Sequence, residues 1–206
     1  MDKAEILAPL KEVATIAAGN AATALSKLVK QPVSVSVPTA QLMKIEEVMK
    51  VLGPTEEITS AGLVKIDGDA KGLLIFTLSP DDAQSMTAHI AQQHTSTPYK
   101  DIDQSVLREV VNIIGGAALS ALGTFLGMRL WQSVPGSATD MLGAVLDPFV
   151  AELGASYDQV LVLQEVFTVT DQATSVKMLV IADPPSTTLM LQKISDKLSS
   201  PHGTGN

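Results

Sequence analysis

Three residues near the middle of this 206-residue chain are spaced so that they could act together: Ser105, Glu109 and Asn112. They stand at i, i+4 and i+7, so a helix brings them onto one face. They offer a hydroxyl, an anion and an amide. The amide both donates and accepts hydrogen bonds but does not titrate usefully, so Asn112 can bind and orient but cannot serve as a general base. Asn is also a poor helix-interior residue, because its side chain competes with the backbone for hydrogen bonds. Here it is set among Val110, Val111, Ile113 and Ile114. On spacing alone, Glu109 reads as a solvated surface acid and Asn112 as a satisfied polar group in a core. A remote element adds weight: 22 residues separate Asn112 from Pro135, and the same spacing separates Thr15 from Pro38.

Other chemistries lack their residues. The chain has no cysteine, which excludes a disulfide framework, a thiolate nucleophile and thiolate-ligated zinc, and suits a reducing compartment. His89 and His94 are five apart, off the i, i+4 spacing of a helical metal pair, and His202 lies in the C-terminal tail, so no metal site is expected. There is no phosphate-cradling glycine loop ahead of Lys-Ser/Thr, and Ser26 and Ser120 lack a nucleophile-elbow context. The net charge is −8 and no run of Lys or Arg is present, which argues against nucleic acid and does not favour anionic membranes. The N-terminus carries Asp2, Glu5 and Glu12 where a signal peptide needs a basic start and an unbroken apolar stretch.

Residues 110–128 carry no charge and approach the length of a membrane span. The stretch is diluted by Asn112, Ser120, Thr124 and four glycines, and a helix apolar on most sides also suits the centre of a soluble domain. No membrane association is expected, and the expected location is the cytoplasm.

The elements that must position the trio emerge from an internal repeat. Glu12 and Glu109 are 97 positions apart, as are Pro38 and Pro135. Each half runs through an uncharged small-residue helix and a short strand ending in Val-Pro. Next comes a helical stretch, opened by Leu42-Met43 in one half and by Asp140-Met141 in the other. Then follow a hairpin (residues 65–78, turning at Asp67-Gly68, and residues 160–182, turning near Thr170-Asp171-Gln172) and a helix behind proline (81–93 and 186–198). The expected fold is α/β: one pseudo-two-fold domain over residues 1–200, with repeats at about 5–94 and 102–198. It has a sheet of roughly six strands, two long antiparallel motif helices and flanking helices. Residues 199–206 are expected to form a disordered tail.

The pattern Asp/Ser-x3-Glu-x2-Asn-x22-Pro resembles the signature of the CheC/CheX/FliY phosphatases. The second half matches it in full with Ser105, Glu109, Asn112 and Pro135. The first half is similar through AAGNAATALS and Val37-Pro38. It departs where Ala8 replaces Asp or Ser and where Thr15 replaces Asn, keeping Glu12 and Pro38. Two motif-bearing halves in a chain of this length favour the CheC branch. The resemblance implies hydrolysis of the phosphoaspartate of the response regulator CheY, with Mg²⁺ held by CheY and no cofactor on this chain. It implies that Asn112 aims a water in line with the acyl phosphate, and that Glu109 pairs with a lysine of CheY. Ser105 and Pro135 shape the site, while Glu12, Thr15 and Pro38 form a degenerate second one. CheC proteins also pair with the receptor deamidase CheD, so the alternative expectation is a binding module that sequesters or regulates CheD with little hydrolysis.

Overall fold

The computed structural model describes residues 3–94, 104–169 and 174–199. Residues 1–2, 95–103, 170–173 and 200–206 lie outside that set, and with them the expected joint, second hairpin turn and most of the tail. Ser199 closes the last helix.

The first half contains α1 (Lys3–Val29), β1 (Val33–Val35), β2 (Thr39–Lys44), α2 (Ile45–Leu52), β3 (Ile58–Gly68), β4 (Gly72–Leu78) and α3 (Pro80–His94). The second repeats it with α4 (Gln104–Leu126), β5 (Leu130–Gln132), β6 (Gly136–Met141), α5 (Leu142–Gly154), β7 (Gln159–Val169), β8 (Thr174–Ala182) and α6 (Pro184–Ser199). The eight strands form one antiparallel sheet of six positions in the order β1-β7-β8-β4-β3-β5. β2 shares the edge position of β1 beside β7, and β6 shares that of β5 beside β3. The α/β class and the six-position sheet are therefore as expected. The edge strands are exchanged: those of the first half border the second half's hairpin, and the reverse. The pseudo-two-fold passes between β4 and β8, paired from Gly72↔Ala182 to Thr77↔Lys177.

The central strands are apolar throughout because both sheet faces are covered. In β4, Leu74, Phe76 and Leu78 face one core, and Leu73 and Ile75 face the other. This is the two-residue alternation of a strand with a hydrophobic layer on each side. The larger core packs under α1, α3, α4 and α6, and the smaller one under α2 and α5. α4, uncharged beyond Glu109, is long and apolar enough to cross a membrane, but half of its apolar window is buried inside the protein. Leu107, Val110, Val111, Ile114, Ala118, Leu119, Leu122 and Leu126 point into the larger core. The motif helices run antiparallel: Leu28, near the end of α1, lines a notch with Ser105 and Glu109, near the start of α4.

Two local expectations are corrected. Leu42-Met43 and Asp140-Met141 do not open helices; they end β2 and β6, and the helices start at Ile45 and Leu142. Their backbone groups pair with the opposite half, Leu42 with Leu161 and Met141 with Ile58, and that pairing outweighs local helix preference. The first hairpin is longer than expected. β3 starts at Ile58 and turns beyond Gly68, which has φ 114°. A Cβ at Gly68 would lie 2.1 Å from the Arg129 carbonyl oxygen, so this position needs glycine for both conformation and space.

Candidate active site

Ser105, Glu109 and Asn112 are exposed on α4, opposite the face that fills the core. The start of this helix is tied to β6. The Gln104 amide donates to Thr139 Oγ1 at 3.1 Å, the Ser137 hydroxyl donates to the Gln104 carbonyl at 3.2 Å, and Thr139 shares a 2.8 Å bond with Ser60. Beside Ser105 and Glu109 lies a largely apolar notch of about 230 Å³, completed by Leu28 of α1 and Ile90 of α3. The candidate site is thus an exposed carboxylate and amide one turn apart, held on a helix tied at its start to β6 and flanked by an apolar recess.

Pro135 acts through the sheet edge. Gln132 pairs with Ile66 and Gly136 with Leu63, so residues 133–135 span what only 64 and 65 span opposite. This is a β-bulge, a natural place for a residue that cannot donate to the ladder. Ser133 repairs the ladder there: its N–H donates to the Lys65 carbonyl at 2.9 Å, and its hydroxyl accepts from the Lys65 N–H at 3.0 Å. The other edge repeats the device. Ser36 N–H donates to the Val166 carbonyl at 2.9 Å and the Ser36 hydroxyl accepts from the Val166 N–H at 2.9 Å, just before the buried Pro38.

The bulge sets β5 beneath α4, where it delivers a residue that the motif does not include. Gln132 Nε2 donates to the Asn112 backbone carbonyl at 2.9 Å and to Asn112 Oδ1 at 2.8 Å. The far end of β5 is anchored as well. Arg129 N–H donates to Asp69 Oδ2 at 2.8 Å, and Asp69 N–H donates to the Arg129 carbonyl at 2.9 Å. The Arg129 backbone bond, aided by its guanidinium, holds the Asp69 carboxyl below the usual carboxylate range. Gln132 was detectable in principle: aligned at the repeat offset, it faces Val35, in the half where Asn112 faces Thr15.

At the first-half counterpart, Ala8, Glu12 and Thr15 are exposed on α1. The Thr15 hydroxyl donates to the Lys11 carbonyl one turn back at 2.8 Å, so its proton is committed to the helix. His89 Nε2 lies 2.8 Å from the Val29 carbonyl. Among the described residues, no group of three His, Asp or Glu could hold a metal ion.

No protein-family model matches the chain. It is 28% identical to the CheY-P phosphatase CheC of Bacillus subtilis over 159 residues, 73% of this chain and 74% of that protein. Its fold matches Thermotoga maritima FliY with a TM-score of 0.72 at 20% identity, covering 96% of this chain and 99% of that one. It also matches the structure of the CheX–CheY–BeF3–Mg²⁺ complex from Borrelia burgdorferi, with a TM-score of 0.56 at 15% identity over 83% of this chain and 96% of that one. These structural likenesses show the fold: the chain shares the fold of FliY and CheX. Its sequence likeness is to CheC, as the paired motif implied.

Proposed function

We propose that this protein hydrolyses the phosphoaspartate of a CheY-type response regulator in the cytoplasm, using the α4 site. The observation that carries this reading is the exposed Glu109–Asn112 pair on one face of a helix fixed at its start by Gln104. Phosphoryl transfer depends mainly on positioning and charge stabilisation, so a neutral amide that aims a water in line with the acyl phosphate can suffice. Asn112 takes that role. Glu109 meets a cation beside the phosphorylation site of the partner, and the recess lined by Leu28 and Ile90 receives an apolar group next to it. Mg²⁺ belongs to the response regulator as part of the substrate. The likeness to CheC supports the reaction, and the likeness to the CheX of a CheX–CheY complex supports the partner.

A second role, binding CheD, is favoured by one observation. The first site keeps an exposed Glu12 but has lost the amide, and its Thr15 hydroxyl is tied to its own helix. Decay of phosphorylated CheY separates the two. Acceleration by wild type that is lost in Asn112→Ala and kept in Thr15→Ala supports the one-site phosphatase. Decay unchanged by wild type refutes it and makes CheD affinity the next measurement.

A further inference from the structure

We infer that Gln132 is the positioning residue of the site: it fixes which end of the Asn112 amide faces the substrate. The inference rests on the phosphatase reading for its consequence in catalysis, but its geometric content stands apart from it.

The orientation follows from the bonds. The Asn112 backbone carbonyl can only accept, so the Gln132 amide must present its nitrogen there. That same nitrogen lies 2.8 Å from the Asn112 side chain, which must therefore present its oxygen. Asn112 Nδ2 is left for a water or a partner. Without Gln132, the amide is free to turn and present either end.

The position is not one that packing alone would fill with glutamine. Gln132 Oε1 is buried and has no hydrogen-bond partner within the protein, which packing alone disfavours. Room for that oxygen comes from Gly115, where a Cβ would stand 2.7 Å from it. In the first half the corresponding residues are Thr15, Ala18 and Val35. The amide, the glycine that makes space and the glutamine are present together in one half, and all three are replaced in the other. An apolar residue serves the scaffold there. In the second half, glutamine with an unsatisfied oxygen is retained, which is where a protein departs from packing rules for a functional site.

The test uses the full-length chain and phosphorylated response regulator, with Gln132→Val, Gln132→Glu, Asn112→Ala and the double variant Asn112→Ala/Gln132→Val. Valine is what the first half carries at this position, and thermal unfolding checks that each variant folds. Both Gln132 variants are expected to lower kcat about 10-fold or more while KM stays within about twofold, since misaiming affects the reacting geometry more than docking. The double variant should be no slower than Asn112→Ala. Wild-type kcat in Gln132→Val overturns the inference, as does a loss that persists in the Asn112→Ala background. A separate readout is the mobility of the Asn112 side-chain amide in ¹H–¹⁵N spectra. It should be ordered in wild type and mobile in Gln132→Val, and equal mobility in both overturns the inference. If wild type shows no phosphatase activity, the functional reading fails by itself and the amide mobility still decides the positioning claim.

Discussion

The two halves share a backbone plan and differ in what they place on it. Both have a long helix, an edge strand bulged at proline and repaired by serine, a short helix, a hairpin and a closing helix. Yet Ser105, Asn112, Gly115 and Gln132 face Ala8, Thr15, Ala18 and Val35 across the repeat. The packing beneath differs too. Val111 of α4 lies on Gly62, where a Cβ would meet Val111 Cγ2 at 2.1 Å; the matching positions across the repeat are Ala14 and Leu163, both buried, with the small residue on the helix and the large one on the strand. The bulge and the helix are scaffold common to both halves, while the side chains of the proposed chemistry stand in one half alone. Shared fold therefore does not imply shared activity, even within one molecule.

The sharpest way to break the comparison is Asn112→Ala against Thr15→Ala in the decay of phosphorylated CheY. Asn112→Ala is expected to lose at least ~100-fold in kcat, since it removes the amide proposed to aim the water. Thr15→Ala should change the rate by less than about twofold. Equal losses would show that the halves work alike.

The next contrast concerns the core. Glu165 in β7 is 1% exposed, and neither carboxylate oxygen has a partner. Its counterpart in β3 is Val64, also buried. Burial pushes the Glu165 carboxyl from the ordinary 4.5 up to about 8. The folded protein then keeps a proton that the unfolded chain releases above pH 4.5. Stability is fully present below that pH, falls by about 1.4 kcal/mol per pH unit as pH rises, and levels off once pH passes about 8. Glu165→Val, borrowing the residue of the other half, should raise the melting temperature at pH 8 by several degrees and flatten this slope. A slope unchanged in the variant would remove Glu165 as its cause.

Gly115→Ala tests the space beneath the amide. The new Cβ would crowd Gln132 Oε1 at 2.7 Å and Leu74 Cδ2 at 3.0 Å. Helix propensity favours alanine by about 1 kcal/mol, so the substitution should leave stability nearly unchanged while lowering kcat about 10-fold by displacing Gln132. Wild-type kcat with a fully folded protein would show that Gln132 can shift without consequence.

Much of this was legible in the sequence, because the repeat at a 97-residue offset sets the order of elements and the helix spacing sets the exposed face. β1 and β5 are legible as strands, but β2 and β6 read as helix starts for a physical reason. β2 pairs with β7, Thr39 opposite Gln164, across 125 positions of sequence, and no local pattern reports such a partner. Gln132 was missed for a related one. It is a single polar residue in a three-residue strand, and its importance comes from touching Asn112, 20 positions away. The signal was present only as a paired difference between repeats. The buried Glu165 gave no signal at all, since an acid in a strand looks the same facing solvent or core.

The smallest effect is the most demanding test of the comparison. If the first half has lost activity through few side chains, it should be recoverable by few. In an Asn112→Ala background, Thr15→Asn alone should do little. The new amide would stand over Val35, which has no donor to fix its oxygen, and Ala18 would occupy the space that Gly115 leaves open. Adding Val35→Gln and Ala18→Gly supplies both the donor and the space, while Glu12 is already exposed on the same face. The triple replacement should raise the rate a few-fold above the Asn112→Ala background, short of wild type because Ala8 still stands where Ser105 does. Recovery with Thr15→Asn alone would show that the amide needs no orientation. No recovery with all three, in a protein that folds, would mean that the halves differ by more than these positions.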